Sequence, residues 1–191
     1  MANGKQRTGR LQLSLIAAVF FGPLLFAAWL YFQGAPIDPA DRTNHGALLE
    51  PIANLGDELP DSALHTHNRE HWLLVYSNDH ACGDGCEDSL YVLRQSRMML
   101  GTERDRVTRL FLHGGTWPDA AFLADQHKGL ITLVDSQLGQ LLVARKPADL
   151  PAGGYYLIDP HGNLVMYFQP EIDPRDMVDD IKHLLKLSRI G

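Results

Sequence analysis

Residues 72–112 decide the fold of this chain, and they read WLLVYSNDHACGDGCEDSLYVLRQSRMMLGTERDRVTRLFL. The run 72–76 is continuously apolar, which is typical of a short strand that is buried on both faces. Residues 86–100 have leucines at helical spacing and acidic residues in the first turn. Residues 107–112, VTRLFL, are predicted as the next strand, which ends at the Gly114-Gly115 turn. The stretch therefore predicts a strand, a helix and a second strand, with two cysteines between the first strand and the body of the helix.

The alternation of strands and helices continues to the C-terminus. Helices are predicted at 118–126 and 137–144, and strands at 130–134, 155–158 and 164–168. In the last helix, Asp173 suits the N-cap and Pro174 the first helical position. The order β-α-β-α-β-α-β-β-α predicts an α/β fold, a mixed sheet with helices on both faces.

Composition limits the classes of function. The chain has 191 residues and a net charge of -6, and 45% of its residues are hydrophobic. That length suits one ordinary domain with an appendage, and the apolar content is sufficient for a core. A nucleic-acid-binding protein needs a basic surface, so the acidic balance argues against nucleic acid as a partner.

The N-terminus has the pattern of a membrane anchor. Residues 11–32 contain no charge, and Lys5, Arg7 and Arg10 precede them. About 20 apolar residues suffice to cross a bilayer, and the basic flank is expected on the cytoplasmic side. We therefore expect four segments: a cytoplasmic N-terminus (1–10), a single transmembrane helix (11–33), a tether (34–62) and an extracytoplasmic domain (63–191). A cleaved signal peptide is the competing interpretation.

The chain has only two cysteines, Cys82 and Cys86, placed between a strand and a helix. The N-terminus of a helix stabilises a thiolate, which is both the nucleophile of disulfide exchange and a ligand for soft metals. The C-x3-C spacing leaves open a reversible dithiol, a copper site that needs a third ligand, and a structural disulfide. A closed zinc site requires four ligands, and no second cysteine pair is present to complete one.

The segment 72–112, with its C-x3-C pair, resembles the opening segment of the Sco/SenC copper-delivery proteins of cytochrome c oxidase assembly. The later stretch GYYLIDPHGNLVMYF, residues 154–168, resembles their strand-turn-strand segment. The resemblance covers about residues 60–188 and implies a thioredoxin-like fold. It also implies that Cys82 and Cys86 match the two copper-binding cysteines of that family.

The chain departs from this family at the third copper ligand, a histidine that precedes the later strand. Its place falls on Pro151, and no histidine lies between Lys146 and Tyr156. A proline here is instead similar to thioredoxin-like oxidoreductases, in which a cis-proline faces the dithiol. His113 and His80 are the candidates for a replacement ligand, since both follow or end strands whose C-terminal ends meet at one sheet edge.

Three functions follow as expectations from this resemblance. The first is a thiol-disulfide oxidoreductase that acts on copper-site cysteines of a cytochrome c oxidase subunit or on a copper chaperone. The second is a copper metallochaperone that uses Cys82, Cys86 and a non-standard third ligand. The third is a non-catalytic assembly or scaffold factor. The missing histidine favours the first over the second, and the intact cysteines argue against the third. The expected location is the bacterial inner membrane, with the domain in the periplasm.

Overall fold

A computed structural model of the chain describes residues 3–32, 44–80, 82–114 and 119–188. The chain divides into two units, Met1–Thr43 and Asn44–Gly191. The predicted boundary between the anchor and the tether, together with the first part of the tether, falls on residues 33–43 and lies outside the described residues.

The first unit contains one long helix, α1 (Asn3–Phe32), with Pro23 inside it. Large apolar side chains are exposed along it, including Phe20 at 77% and Leu24 at 67%. In the parts of the chain that the structure describes, no helix is long and apolar enough to cross a membrane.

The second unit is built on one mixed, six-stranded sheet. Its strands are β1 (Ala47–Asn54), β2 (Trp72–Asn78), β3 (Val107–His113), β4 (Ile131–Leu133), β5 (Tyr155–Ile158) and β6 (Asn163–Phe168). The strand order is β1-β6-β5-β2-β3-β4. The strands β2, β3 and β4 are parallel, whereas β5, β6 and β1 pair antiparallel along the other half of the sheet.

Helices cover both faces of this sheet, so the predicted mixed α/β sheet with flanking helices is confirmed. The helices are α2 (Leu55–Glu58), α3 (His65–Asn68), α4 (Asp84–Met99), a 3-10 helix (Gly101–Arg106), α5 (Ala120–Gln126), α6 (Ser136–Arg145) and α7 (Pro174–Leu187). The helices α4 and α7 share one buried cluster with alternate residues of β2 and β3. The helix α6 packs in a second cluster on the opposite face.

Side-chain caps explain where the later helices begin. The carboxylates of Asp119, Asp135 and Asp173 each accept a backbone N–H from the first turn of α5, α6 and α7, respectively. Such caps satisfy N–H groups that have no partner inside the helix and complement the positive end of its dipole. The predicted cap at Asp173, followed by Pro174, is therefore present in the structure.

The structure differs from the sequence prediction at the predicted tether, 34–62. Residues from Ala47 to Asn54 form β1, an edge strand that pairs with β6, and the compact unit begins at Asn44 rather than at residue 63. The buried carboxylate of Asp180 in α7 holds the start of this segment, because its Oδ2 accepts the backbone N–H groups of His45 and Gly46, each at 2.8 Å.

Candidate functional site: a cysteine pair at the start of α4

The two cysteines lie at the C-terminal edge of the sheet, between the end of β2 and the first turn of α4. Cys82 and Cys86 form a disulfide, with their Cα atoms 5.0 Å apart. Gly83 is the N-cap of α4, and its carbonyl oxygen accepts the backbone N–H groups of Cys86 and Glu87 at 2.9 and 3.0 Å. No side-chain hydrogen bond caps this end of α4. A helix N-terminus stabilises a nearby thiolate, so this position suits a reactive cysteine pair.

The two sulfurs differ in their access to solvent. Cys86 is only 5% exposed and belongs to the cluster under α4, whereas Cys82 is half-buried at the rim of that cluster. An incoming thiol or disulfide therefore reaches Cys82 first. This difference suits a pair in which Cys82 exchanges with a partner and Cys86 closes the ring again.

Buried tyrosines support the first turns of α4 from below, and the sequence prediction did not include them. The Tyr155 hydroxyl donates to the Ser89 carbonyl oxygen at 3.2 Å, and the ring of Tyr76 lies between those of Tyr155 and Phe111, with centroids 5.5 Å from each. Burial raises the pKa of the Tyr76 and Tyr155 phenols, so both remain neutral donors. The sequence signal that could have identified these tyrosines is their place within the apolar runs of β2 and β5.

The structure places His113 at the predicted sheet edge. It is the last residue of β3, it pairs in register with Asn78 of β2, and it is 2% exposed. Its ring lies 5.2 Å from that of Phe111, on the face that α4 covers. Burial lowers the pKa of His113, so the imidazole is neutral at ordinary pH.

The structure places His80 in a different environment. Its side chain is exposed, and its backbone N–H donates to Asn78 Oδ1 at 3.0 Å. His80 lines a small pocket of about 150 Å³ together with Gly153 and Tyr156. His113 is thus buried at the end of β3, whereas His80 is exposed just after β2.

Pro151, which the Sco/SenC resemblance predicts at the place of the third copper ligand, lies in an exposed loop before β5. Tyr167 of β6 holds this loop, because its hydroxyl donates to the Pro151 carbonyl oxygen and accepts the Gly154 N–H at 3.1 Å. A Cβ atom at Gly154 would overlap the Phe168 carbonyl oxygen, so the loop approaches β6 too closely for a side chain there. The Leu150–Pro151 bond is trans, so the likeness to a cis-proline opposite the dithiol does not extend to this chain.

Comparisons with known proteins follow the same division into two units. A family model described as a transmembrane-like, thioredoxin-like, C-terminal domain matches residues 72–188, and one described as a transmembrane-like, N-terminal domain matches residues 3–34. The chain belongs to the transmembrane-like, thioredoxin-like family. No curated protein matches the chain in sequence.

Solved structures show that this chain has a Sco/SenC-like thioredoxin fold. Apo Sco1 from Thermus thermophilus is 17% identical with a TM-score of 0.52, and the match covers 74% of this chain and 97% of that one. Yeast Sco1 is 21% identical with a TM-score of 0.51, covering 65% and 85%. Copper-bound ScoI from Arabidopsis thaliana is 19% identical with a TM-score of 0.50, covering 65% and 89%. The resemblance found in the sequence is thus confirmed for the fold.

The residues of this chain do not fit a copper ion in the form that the structure shows. Copper requires free thiolates or imidazoles as ligands, and here the two sulfurs are bonded to each other. Within residues 3–32, 44–80, 82–114 and 119–188, no three side chains among His, Cys, Asp and Glu form a group that could hold a metal. The proposal that His113 or His80 completes a copper site therefore stays a prediction for the reduced protein.

Proposed function

We propose that this chain is a membrane-attached thioredoxin-like protein that exchanges thiols and disulfides through Cys82 and Cys86. The observation that carries the proposal is the disulfide at the uncapped start of α4, with one sulfur more accessible than the other. A closed loop of this size contributes little to stability through loop closure, so a purely structural role explains the bond poorly.

The exchange reaction balances as a two-electron transfer. The thiolate of reduced Cys82 attacks one sulfur of a client disulfide, and the other client sulfur leaves as a thiolate. The thiolate of Cys86 then attacks Cys82 in the mixed disulfide. The client departs as a dithiol carrying two more electrons, and the Cys82–Cys86 disulfide forms again. A thiol donor in the same compartment must reduce it for another cycle.

The client that we propose comes from the Sco likeness. The chain would keep cysteines reduced at the copper site of a cytochrome c oxidase subunit, or on a copper chaperone, during oxidase assembly. The departure at Pro151 supports reduction over copper carriage, because the third ligand of the Sco/SenC pattern is absent there. Copper carriage through Cys82, Cys86 and either His113 or His80 is the alternative, and a non-catalytic assembly role is a weaker one.

A redox titration tests the exchange function. The full-length protein is equilibrated with glutathione mixtures of known poise, and its free thiols are then labelled with a maleimide that shifts gel mobility. We expect a reversible change of two labels. Cysteines that remain reduced at every poise up to that of the periplasm would exclude the redox function.

The reduced protein is then offered copper in both oxidation states. Two thiolates can hold Cu(I), whereas Cu(II) prefers additional nitrogen ligands, so we expect weak or absent Cu(II) binding. Any Cu(I) binding should be lost in Cys82→Ser and Cys86→Ser. Tight Cu(II) binding that His113→Ala or His80→Ala abolishes would instead establish the copper carrier.

We also propose that the N-terminal unit attaches the domain to the bacterial inner membrane, with the domain in the periplasm. The uncharged run 11–32, the basic residues before it and the match of residues 3–34 to a transmembrane-like family support this attachment. A periplasmic reporter fused after Gly191 should be active, and the protein should stay with membranes after an alkaline wash. Activity of a cytoplasmic reporter alone, or release by alkali, would contradict the proposal.

A further inference from the structure

A pocket separate from the cysteines lies between the second half of α4 and the chain that follows α5. Its volume is about 250 Å³. Three arginines line it, Arg94 and Arg97 from α4 and Arg109 from β3, together with Lys128 and one acidic residue, Asp125. Four cations and one carboxylate thus face one small space in a chain whose net charge is -6.

Arg109 is the buried centre of this pocket. It is 5% exposed, and its Nη2 donates to the Lys128 carbonyl oxygen at 2.7 Å. Its Nε and Nη1 atoms have no hydrogen-bond partner among the described residues. A buried guanidinium group with two unsatisfied nitrogens is costly, and such groups in folded proteins normally have a partner. The pKa of Arg109 is lowered to about 10 by burial first, then by repulsion from Arg97 and Arg94.

The other two guanidinium groups are fixed in place without being neutralised. Arg94 Nη1 donates to the Gln126 carbonyl oxygen, and Arg97 Nε donates to the Val107 carbonyl oxygen, both at 2.6 Å. Arg97 also has an ion pair with Asp105 at 3.5 Å, but that carboxylate is 78% exposed and therefore weakly paired. Among the described residues, no carboxylate lies within ion-pair distance of Arg94 or Arg109.

We propose that this pocket binds a phosphate group. Planar guanidinium groups donate paired hydrogen bonds to phosphate oxygens, and side chains already held by backbone carbonyls lose little conformational freedom on binding. A phosphate dianion would compensate the excess positive charge around Arg109. The group comes either from a soluble phosphate compound or from the headgroup of an anionic lipid. This binding is independent of the cysteines.

Inorganic phosphate is the probe that tests the proposal, added to the full-length protein in detergent at constant ionic strength. A ligand that binds only the folded state raises the unfolding temperature in a saturable manner. We expect one site by calorimetry and a matching rise in the unfolding temperature. Chloride at the same ionic strength should produce neither effect. No saturable binding of phosphate would overturn the proposal.

Variants locate the binding site. The double variant Arg94→Gln, Arg97→Gln should weaken phosphate binding by about a hundredfold, because each lost charged hydrogen bond costs roughly tenfold. Arg175→Gln, at an exposed position at the start of α7, makes a single charge change elsewhere and should leave the affinity unchanged. Asp125→Asn removes the opposing carboxylate and should tighten binding. Equal weakening by the α7 variant, or no gain from Asp125→Asn, would show non-specific attraction and overturn the proposal.

Vesicles distinguish the two sources of the phosphate group. If phosphatidylglycerol vesicles displace inorganic phosphate and phosphatidylcholine vesicles do not, the site binds a lipid headgroup. Absence of displacement by either would assign it to a soluble phosphate compound. Both results require the binding that the arginine variants weaken.

Discussion

Replacing Tyr167 by phenylalanine tests how the loop that contains Pro151 is held. The side chain is fully buried in β6, and its hydroxyl joins the Pro151 carbonyl oxygen and the Gly154 N–H to the sheet. Removal of this hydroxyl leaves both backbone groups without that partner, while the ring keeps its packing 4.8 Å from the ring of Tyr156. An unsatisfied buried N–H costs about 1 to 3 kcal/mol, so we expect a loss of about 2 kcal/mol in the free energy of unfolding.

Tyr156→Phe is the matched control for this experiment. Tyr156 is equally buried and loses the same hydroxyl, but that hydroxyl makes no hydrogen bond within the described residues. Its free energy of unfolding should change by no more than about 0.5 kcal/mol. Urea titration followed by the fluorescence of buried Trp72 measures both variants, and the unfolding temperature of Tyr167→Phe should fall by about 4 to 8 °C. Equal stability of the two variants would refute the inference that Tyr167 holds the loop.

Three further changes test the packing and electrostatics of the domain. Burial and two neighbouring arginines lower the pKa of His127. The unfolded state therefore takes up the proton first, so the free energy of unfolding should be at its full value above about pH 6.5 and fall as the pH drops towards the lowered pKa. In urea titrations at each pH, His127→Gln should reduce that loss. Asp180→Ala leaves two backbone N–H groups without their acceptor, so the free energy of unfolding should fall by about 2 to 3 kcal/mol in the same titration. The control Asp179→Ala, at an exposed position, should lower it by less than about 0.5 kcal/mol. Gly154→Ala places a Cβ atom against β6, so the free energy of unfolding should fall by about 3 kcal/mol or more. The control Gly85→Ala meets open space in α4 and should be neutral or stabilising by up to about 1 kcal/mol.

The strands and helices from β2 to α7 were predictable because the local signals in each of them agree. The strand predicted at 72–76 is β2 (Trp72–Asn78), and the helix predicted at 86–100 is α4 (Asp84–Met99). Continuous apolar runs, capping carboxylates and turn glycines all indicate the same boundaries within one to three residues in these elements. The cysteine pair was predictable for the same reason, since its position between a strand and a helix is itself a local pattern.

The first strand was not predictable from the same signals. The segment Ala47–Asn54 contains Glu50 and Pro51, which interrupt its apolar alternation, and its pairing with β6 shifts register between Leu48 and Ala53. Proline has no backbone N–H to donate. It is tolerated in an edge strand because no neighbouring strand on the open side needs that hydrogen bond. The pairing depends on contacts with residues more than 100 positions away, and a single sequence does not display such contacts.

The surroundings of the site also depend on distant residues. The contact of Tyr155 with Ser89, and the convergence of Arg94, Arg97 and Arg109, join residues from separate elements. In the sequence, Arg109 is one of three polar residues in the strand β3, VTRLFLH. Its significance becomes visible when α4 covers that face of the sheet and leaves Arg109 only 5% exposed.

Trapping of a mixed disulfide tests the central claim, exchange through Cys82 and Cys86, most directly. Full-length Cys86→Ser is reduced and mixed with a copper-site peptide of a cytochrome c oxidase subunit in its disulfide form. Cys82 then has no partner to resolve the intermediate, so we predict a stable 1:1 adduct that dithiothreitol releases and mass spectrometry locates on Cys82. Cys82→Ser, with only the buried Cys86 remaining, should form the adduct far more slowly. No adduct on Cys86→Ser, or equally fast formation on both variants, would contradict the account.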